Sequence, residues 1–423
     1  MILENIRYLV TQNRERDVIE NADVRVVEDR IAEVGRNLSH PDEHRIDCSD
    51  RIVMPGLINA HTHVPMALFR GISDNKNLQD WLHEDIFPAE EKMDGEDVYL
   101  GSLLGTTEML ESGTTCFNEM YFKTDRIAEA VEDTGIRAVL ARGVMDIEES
   151  IDEQLEKATL FVENYRDHER INTAIAPHAI YTCSKDLLRL SKKYAEAYNV
   201  PYHIHVSETV KENKDSREEH GKTPVEYLES EGLLDSSVVT AHCTWLTERD
   251  RNILSERDVS VAHNPAANLK LGSGIADLNR MKEAGINTGL GTDGSASNNS
   301  LNMFQEMKLA GLLHKRNDPT EITEQDILDM ATVNSAKALD MEEEIGSIEE
   351  GKKADLVMID IEDVSMNPIY GDRGLISNLV YSFNGDVSEV LVDGQLVVEN
   401  GRCTEVNHEK IVEAVNERVE KFG

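Results

Sequence analysis

The chain has few cysteines, and none of them stands in a pattern that binds metal or forms disulfides. Its 423 residues include five cysteines, an odd number, with no C-x-x-C pair. They are Cys48, Cys116, Cys183, Cys243 and Cys403. Disulfide scaffolds and thiolate metal sites need paired, closely spaced cysteines. The sequence therefore indicates neither of these.

Long apolar runs are also missing. No stretch reaches the length needed to cross a bilayer. The first thirty residues carry Arg14, Glu15, Arg16 and Asp17 and contain no apolar core of signal-peptide length. We therefore expect no membrane partner and a cytoplasmic location.

Basic residues are scarce relative to acidic ones. The chain has 43 Lys and Arg against 81 Asp and Glu, a formal net charge of −38. This charge repels nucleic acid and anionic lipid, so we expect neither as a partner. One interpretation is a solvated acidic surface. Because the acidic residues are spread over every segment and are not gathered in a tail, the composition favours a halophilic protein, adapted to high internal salt.

The chain is longer than one compact core usually holds, and its pattern of apolar and polar residues changes twice along the sequence. Residues 1–55 and 346–423 read as short strands in which apolar and polar residues alternate, and residues 407–422 read as an amphipathic helix. Residues 56–345 repeat a strand and then a helix. We therefore expect a small β-sandwich domain built from both termini, with a C-terminal helix, around a barrel domain of residues 56–345.

The middle segment contains eight predicted strands separated by predicted helices, which is typical of a (β/α)₈ TIM barrel of the α/β class. The strands cover 57–63, 114–119, 136–142, 171–178, 200–206, 237–243, 258–264 and 286–293, and the helices include 96–112, 125–134, 184–199, 247–256 and 300–314. Polar residues end most of these strands: His61, His63, Arg142, His178, His205, His242, His263 and Asp293. The C-terminal strand ends of such a barrel surround its active site, so we expect these side chains at one mouth.

Two histidines close the first predicted barrel strand, in the run RIVMPGLINAHTH. Side chains alternate faces along a strand, so His61 and His63 point the same way. Neutral imidazoles are good ligands for Zn²⁺ or Fe²⁺. Taken alone, the pair is equally consistent with two strand histidines that hydrogen-bond to backbone groups.

Further candidates follow on later strands. His203 and His205 share one strand face, and position favours His205 as a ligand because it lies nearer the rim, with His203 deeper in the barrel. Asp293 ends an apolar strand among small residues, in GLGTDGSASNN. Three imidazoles and one carboxylate would leave a position for water, whose pKa a metal lowers. Glu208 and His242 at the same rim favour catalysis over a structural site.

Two connections are too long to be simple linkers. Residues 64–95 carry Met66, Phe69 and Trp81, and residues 209–224 are densely charged. Long loops on the functional face of a barrel are usually lids or substrate walls. For Phe69 and Trp81, packing onto the barrel is an equally good interpretation.

Several motifs together resemble the amidohydrolase superfamily, and within it the branch of 5-methylthioadenosine/S-adenosylhomocysteine deaminases. They are MPGLINAHTH, the H-x-x-E from His205 to Glu208, the AHC at 241–243, HNPAANLKLGSGIA at 263–276, GTDGSASNNSLNMF at 291–304 and GSIEEGKKADLVMID at 346–360. The resemblance extends over nearly the whole chain. It is more specific for the superfamily than for the substrate.

The resemblance implies one divalent metal ion per subunit, in the first place Zn²⁺ with Fe²⁺ and Mn²⁺ as alternatives, held by His61, His63, His205 and Asp293. It implies hydrolytic deamination of a purine nucleoside. Glu208 would protonate the purine N1, His242 would orient the attacking hydroxide, and Asp293 would take the proton of the water.

For the substrate, the resemblance implies that Glu90 binds the ribose hydroxyls, His178 lies near the purine ring and Arg142 lines the outer pocket. Glu90 as surface charge, His178 as a packing residue and Arg142 as an ion-pair partner are the alternatives. The candidate substrates are 5′-methylthioadenosine, S-adenosylhomocysteine, 5′-deoxyadenosine and adenosine.

The chain departs from some relatives at one point. Those relatives carry a second arginine shortly after the position of Arg142, suited to a substrate carboxylate, whereas residues 146–158 here are acidic and contain no arginine. Glu148, Glu149 and Asp152 would repel a carboxylate. The departure favours substrates with an uncharged 5′ group, for which Met66 and Phe69 are candidate walls.

Two rival functions stay open at this point. One is a deaminase or chlorohydrolase of the same branch that acts on guanine or a triazine-like ring. The other is a metal-binding scaffold without catalysis. The sequence does not exclude a homo-oligomer.

Overall fold

The computed structural model describes residues 1–146, 150–316 and 318–422. Five strands come first: β1 (Ile2–Val10), β2 (Val18–Val27), β3 (Arg30–Gly35), β4 (Arg45–Asp47) and β5 (Arg51–Pro55). Eight follow: β6 (Leu57–Thr62), β7 (Thr114–Tyr121), β8 (Arg137–Val144), β9 (Ile171–Pro177), β10 (Tyr202–Val206), β11 (Val238–His242), β12 (Ser260–His263) and β13 (Thr288–Leu290). Four more close the chain: β14 (Leu356–Asp360), β15 (Glu389–Val392), β16 (Gln395–Glu399) and β17 (Arg402–Cys403).

Strands β6 to β13 form a parallel sheet in chain order. Its two ends meet where the segment after β13 lies against β6. There the Asp293 N–H donates to the His61 carbonyl at 3.0 Å. The Asn59 side chain accepts from the Thr292 N–H at 3.0 Å and donates to its hydroxyl at 2.7 Å. The predicted (β/α)₈ fold is therefore confirmed, and the closure itself brings Asp293 next to His61.

The other nine strands form a second sheet from both ends of the chain. Its order is β17-β16-β15-β14-β5-β1-β2-β3, with β4 beside β1. The two halves join where β14 runs antiparallel to β5, with Ile359 opposite Ile52. The chain passes from this sheet to the barrel at Gly56, where a Cβ atom would lie 1.9 Å from the Thr115 hydroxyl. Only glycine fits that crossing without a shift of Thr115.

Helices fill the connections between strands. They are α1 (Leu78–Trp81), α2 (Phe87–Glu90), α3 (Gly95–Glu111), α4 (Thr124–Thr134), α5 (Ile151–Tyr165), α6 (Lys185–Tyr198), α7 (Val210–His220), α8 (Pro224–Ser230), α9 (Glu248–Glu256), α10 (Pro265–Lys270), α11 (Leu278–Glu283), α12 (Ser295–Asn298), α13 (Met303–Leu313), α14 (Glu324–Met330), α15 (Val333–Ala338), α16 (Gly371–Tyr381) and α17 (His408–Val419). Short 3₁₀ segments cover Val64–Phe69 and Val364–Met366, and a π-helical turn, Leu82–Ile86, joins α1 to α2. Among the described residues, no helix combines the length and apolar character that a membrane crossing requires.

Both long connections after barrel strands are largely helical. Residues 78–90 form one continuous helical segment, and most of the charged stretch 209–224 is helix α7. Thr209 caps α7, with its hydroxyl accepting from the Glu212 N–H at 3.0 Å. The sequence analysis treated this stretch as a loop, because the dense charge made the helix cap at Thr209 difficult to recognise.

A buried ion-pair cluster ties the barrel to the terminal sheet. Arg137, at the start of β8, is 2% exposed and forms a forked pair with Asp355 at 2.8 and 3.1 Å. It also pairs with Asp393, which precedes β16. A forked guanidinium–carboxylate pair fixes orientation as well as distance. The pair therefore holds the two units in one relative arrangement.

Candidate active site

The C-terminal ends of three barrel strands carry non-glycine residues in the left-handed region. Ser207, after β10, has φ 52°; His242, at the end of β11, has φ 71°; Asp293, after β13, has φ 59°. Such backbone costs about 1–2 kcal/mol per residue and often occurs at functional sites. Each turn redirects a polar side chain from its strand into the barrel mouth.

His61, His63 and Asp293 meet at the centre of that mouth. Oδ1 of Asp293 lies 3.5 Å from Nε2 of His61 and 3.4 Å from Nε2 of His63. The potential ligand atoms of His61, His63 and His205 lie within 4.8 Å of one another, as do those of His61, His242 and Asp293. The structure therefore brings the four predicted ligands together, with His242 beside them.

The second ring nitrogen of each histidine is held by another group. Nδ1 of His63 lies 2.7 Å from the Met120 carbonyl, and Nδ1 of His205 lies 2.8 Å from the His178 carbonyl. A carbonyl only accepts, so these Nδ1 atoms carry the protons and the Nε2 atoms keep their lone pairs. This leaves both Nε2 atoms free to donate a lone pair to a metal.

His61 is more deeply buried, and another histidine, not a carbonyl, lies against its Nδ1. Its Nδ1 lies 3.0 Å from Nε2 of His203, whose own Nδ1 is 3.2 Å from the Asn118 amide. Its Nε2 is buried and has no hydrogen-bond partner among the described residues. The placement of His203 deeper in the barrel, as a partner and not a rim ligand, agrees with the sequence analysis.

Burial keeps these imidazoles neutral, because it lowers the pKa of His61 to about 3 and lowers the pKa values of His63 and His205. Burial pushes the pKa of Asp293 upward, but the close contact with His61 and the nearby His63 and His242 outweigh it, so the net shift is downward. Neutral imidazoles and an ionised carboxylate are the states that bind a metal. The buried, unpartnered Nε2 of His61 and this donor set fit a divalent metal ion.

Glu208 and His242 lie on one side of this cluster. Oε2 of Glu208 is 3.8 Å from Nε2 of His242, and both residues are nearly fully buried. Burial raises the pKa of Glu208, with the charge of Asp293 acting in the same direction and His242 opposing it. A raised pKa favours the protonated form of a carboxyl group, which is the form that acts as a general acid.

The Asn268 side chain sets the orientation of His242. Its Oδ1 lies 2.9 Å from Nδ1 of His242. An amide oxygen only accepts, so Nδ1 carries the proton and Nε2 faces the site as an acceptor. Sequence reasoning missed Asn268, although it stands in the quoted run HNPAANLKLGSGIA.

A cavity of about 210 Å³ opens above these groups. It is lined by every predicted site residue except the buried His61: His63, Glu90, Arg142, His178, His205, Glu208, His242 and Asp293. Its remaining wall is mostly apolar and comes largely from the helical segment 78–90, with Leu78, Trp81, Leu82, Ile86 and Phe87. A mostly apolar cavity with a few converging polar groups is the usual form of a small-molecule site.

Glu90 and His178 lie on the cavity wall. Burial raises the pKa of Glu90 to about 7, partly opposed by a hydrogen bond from the Tyr121 hydroxyl. The neighbouring Glu91 is exposed. Nδ1 of His178 lies 2.8 Å from the Thr182 hydroxyl, and its ring centroid is 4.8 Å from that of His205. The alternative of Glu90 as an exposed surface charge does not fit this position.

Two expectations need correction. Phe69 does not line the cavity; its ring packs against Phe422 after α17, with centroids 5.2 Å apart. His263 turns away from the mouth, and its Nε2 lies 3.1 Å from Nε2 of His314 after α13. A strand's outward face is as buried as its inward face in a barrel wrapped by helices, so strand position alone could not distinguish them.

Met66 and Trp81 do line the cavity, as the wall hypothesis for the first connection required. Of the three acidic residues expected near Arg142, Asp152 is exposed and is not part of the cavity wall. Glu148 and Glu149 lie outside the described residues. Gln154, on α5, lines the cavity beside Arg142 and exchanges two hydrogen bonds with the Met145 backbone, at 3.1 and 2.7 Å.

Buried histidines and one aspartate converge at the C-terminal ends of the strands of a parallel (β/α)₈ barrel. This arrangement defines a barrel protein with a metal-binding site. The chain belongs to the amidohydrolase family, whose model matches residues 52–397. The site is therefore one for a divalent metal ion.

The chain is similar to named proteins over nearly its whole length. It is 42% identical over 404 residues, 94% of each chain, to the 5′-deoxyadenosine deaminase of Methanosphaera stadtmanae. It is 42% identical over 388 residues, 90% of each chain, to the 5-methylthioadenosine/S-adenosylhomocysteine deaminase of Thermococcus sibiricus. The crystal structure of an adenosine deaminase from Xanthomonas campestris with bound zinc superposes with a TM-score of 0.96 at 33% identity, covering 100% of this chain and 98% of the other.

Proposed function

We propose that the protein is a metal-dependent deaminase that hydrolyses the C6 amino group of a 5′-substituted adenosine, giving the inosine analogue and ammonia. The observation that carries the proposal is the convergence of two groups in one cavity: a His-His-His-Asp cluster and a buried carboxyl group, Glu208, on its rim. The names of the two relatives and of the superposed structure support the same reaction.

In this proposal His61, His63, His205 and Asp293 hold the metal. Zn²⁺ is the first choice because the superposed structure contains zinc and because imidazole and carboxylate are ligands it accepts, with Fe²⁺ and Mn²⁺ as alternatives. When bound, such an ion lowers the pKa of a coordinated water and polarises it for attack.

The protein's own groups move the protons. Asp293, ionised in the structure, takes a proton from the attacking water, and the His242 Nε2 accepts a hydrogen bond that orients it. Glu208, whose pKa burial raises, donates its proton to the purine N1. Protonation at N1 makes C6 electrophilic as water adds there. The proton held by Asp293 then passes to the amino group, which leaves as ammonia, and the proton of the C6 hydroxyl returns to Glu208 as the carbonyl forms.

The cavity wall holds the nucleoside. Glu90 accepts hydrogen bonds from the ribose hydroxyls, which favour its ionised form. His178, whose Nδ1 is occupied by Thr182, turns its other ring nitrogen to the purine. Arg142 lies at the outer part of the cavity, toward the 5′ end of the nucleoside.

An uncharged 5′ group suits this cavity better than a carboxylate. A methyl or methylthio group needs an apolar wall, which Met66 and the helical segment 78–90 supply at about 0.8 kcal/mol per buried CH₂. A carboxylate at the 5′ end gains Arg142, a pairing worth about 0–1 kcal/mol where solvent reaches it. Gln154 adds no charge. We expect 5′-deoxyadenosine and 5′-methylthioadenosine to have higher kcat/KM than S-adenosylhomocysteine.

The test is an ammonia-release assay with these three nucleosides and adenosine, at one high KCl concentration. Metal-free protein is restored in turn with Zn²⁺, Fe²⁺ and Mn²⁺. Arg142→Ala should reduce kcat/KM for S-adenosylhomocysteine more than for 5′-deoxyadenosine. A wild-type preference for S-adenosylhomocysteine would contradict the substrate choice.

The same assay separates the rival functions. Guanine and a chlorinated triazine are included as substrates, since a deaminase of free bases or a chlorohydrolase would turn these over and leave nucleosides untouched. Glu90, a carboxylate in the cavity wall suited to ribose, favours the nucleoside. A metal-binding scaffold would release ammonia from none of them.

We also propose that the protein is adapted to high salt. The support is the net charge of −38, which exceeds what solubility alone requires.

A further inference from the structure

Glu208 stands in a turn that other parts of the chain hold in place. The turn follows β10, and its first residue, Ser207, has a left-handed backbone with φ 52°. Ser207 is fully buried and Glu208 is 4% exposed. A left-handed backbone at a residue with a side chain persists only where neighbouring groups fix it.

Glu212, near the start of α7, fixes the backbone of the turn. One of its carboxylate oxygens accepts from the Ser207 N–H at 2.9 Å, and the other accepts from the Glu208 N–H at 2.7 Å. Glu212 is 5% exposed. Both oxygens of this buried group accept a backbone N–H, so the two hydrogen bonds offset part of the strain at Ser207.

Ser273 fixes the Glu208 side chain. Its hydroxyl donates to Oε1 of Glu208 at 3.0 Å, and both side chains are buried. Ser273 comes from a different part of the chain, the segment between α10 and α11. The contact therefore arises only in the folded barrel.

Trp245 holds the Ser273 segment against the turn. Its indole N–H donates to the Ser273 carbonyl at 2.6 Å, and its backbone N–H donates to the Ser207 carbonyl at 3.0 Å. The next residue, Gly274, has φ 130°, and a Cβ atom there would lie 2.9 Å from the Trp245 indole. One residue thus connects both segments, and glycine is required beside it.

We infer that Ser273 is a positioning residue for proton transfer by Glu208: its hydroxyl occupies Oε1, so that the transferable proton sits on Oε2, the oxygen beside Nε2 of His242. Trp245 holds Ser273 in place, and Glu212 holds the backbone of Glu208. This inference rests on the proposed deaminase function.

The Ser273 hydroxyl donates its hydrogen bond to Glu208, and this direction is the reason that we expect Ser273 to affect kcat. A hydroxyl binds an ionised carboxylate more strongly than a neutral carboxyl group. Glu208 becomes ionised as its proton passes to the purine N1, so the Ser273 contact strengthens during the reaction. Interactions that strengthen between bound substrate and transition state raise kcat and leave KM nearly unchanged.

The test begins with Ser273→Ala in the metal-loaded full-length protein. We expect kcat for 5′-deoxyadenosine, or for the best substrate of the wild type, to fall about 10- to 100-fold, with KM within about twofold. Ser273→Thr keeps the hydroxyl and should recover most of the rate. Ser102→Ala is the matched control: Ser102 is equally buried, but its hydroxyl donates to the Val98 carbonyl inside α3. It should leave kcat unchanged.

Two further variants separate positioning from a general loss of structure. Trp245→Phe replaces the indole, and with it the N–H, by a phenyl ring at a residue that is 44% exposed, and it should lower kcat in the same direction by a smaller factor. In a Glu208→Gln background, Ser273→Ala should lower kcat little further, because the carboxyl group that Ser273 positions is already absent.

The outcomes are distinct. If the wild type deaminates and Ser273→Ala keeps full kcat with full metal content, the positioning role is refuted while the deaminase function stands. Full additivity of Ser273→Ala with Glu208→Gln, or no recovery in Ser273→Thr, also refutes it. If Ser273→Ala does not fold, an unchanged kcat in Trp245→Phe overturns the inference. If the wild type deaminates no nucleoside, the proposed function fails first.

Discussion

Replacing Glu208 by glutamine tests the chemistry of the site most directly. The amide has the same shape as the carboxyl group, and its oxygen can still accept from the Ser273 hydroxyl, now 3.0 Å from Oε1. Its nitrogen would then take the place of Oε2, 3.8 Å from Nε2 of His242. The substitution therefore preserves the contacts of the side chain and removes only its transferable proton.

The expected loss follows from that single change. General acid catalysis contributes about 10²- to 10⁴-fold to rate. At about 1.36 kcal/mol for each factor of ten, this corresponds to a barrier increase of about 3 to 5 kcal/mol. The clustered ligand atoms belong to His61, His63, His205, His242 and Asp293 and not to Glu208, so the metal content should stay that of the wild type.

The assay is steady-state ammonia release with kcat and KM measured separately, together with metal analysis of the same preparation. Glu324→Gln is the control, since Glu324 is also buried but pairs with Arg373 at 2.7 Å beside α14. It should remain fully active. Full activity in metal-loaded Glu208→Gln would refute the assignment, and a raised KM with unchanged kcat would place Glu208 in substrate binding instead.

Three more predictions concern stability. The Debye length falls from about 30 Å at 0.01 M salt to about 3 Å at 1 M, so added salt screens the repulsion among the acidic residues. The thermal midpoint of unfolding should therefore rise steeply with KCl. A midpoint that does not change with KCl would show that the acidic residues only solvate the surface. Arg137→Met leaves Asp355 buried without its cation and Asp393 with Lys353 alone, and should cost about 3–5 kcal/mol of unfolding free energy in urea titrations; a loss within error of zero would contradict the role of the ion pairs. Burial raises the pKa of Glu306 from its usual value of 4.5 to about 8, so the folded form keeps a proton that the unfolded form releases between those pH values. The stabilisation by Glu306 is complete below about pH 4.5 and is lost as pH rises toward 8. Glu306→Gln should therefore reduce the dependence of the unfolding free energy on pH in this range. An unchanged pH dependence would show that Glu306 ionises normally.

The sequence alone was sufficient for the barrel and indicated which polar side chains would lie at its mouth. Each of the eight barrel strands lies where alternation and apolar runs predicted it, within a few residues, because strand and helix periods are local properties of the chain. The ends of parallel barrel strands share one face, so His61, His63, His205 and Asp293 could be expected to meet before any distance was known.

The tertiary structure decided which polar groups hold the others in place. His203 behind His61, Asn268 behind His242 and Ser273 against Glu208 are contacts between separate elements, and no local pattern marks them. Inward and outward faces are equally buried in a barrel wrapped by helices, which is why His263 could not be distinguished from the rim histidines by its position. The cavity wall depended on the helical segment 78–90, whose packing over the mouth follows from long-range burial of Leu82 and Ile86 and not from its own periodicity.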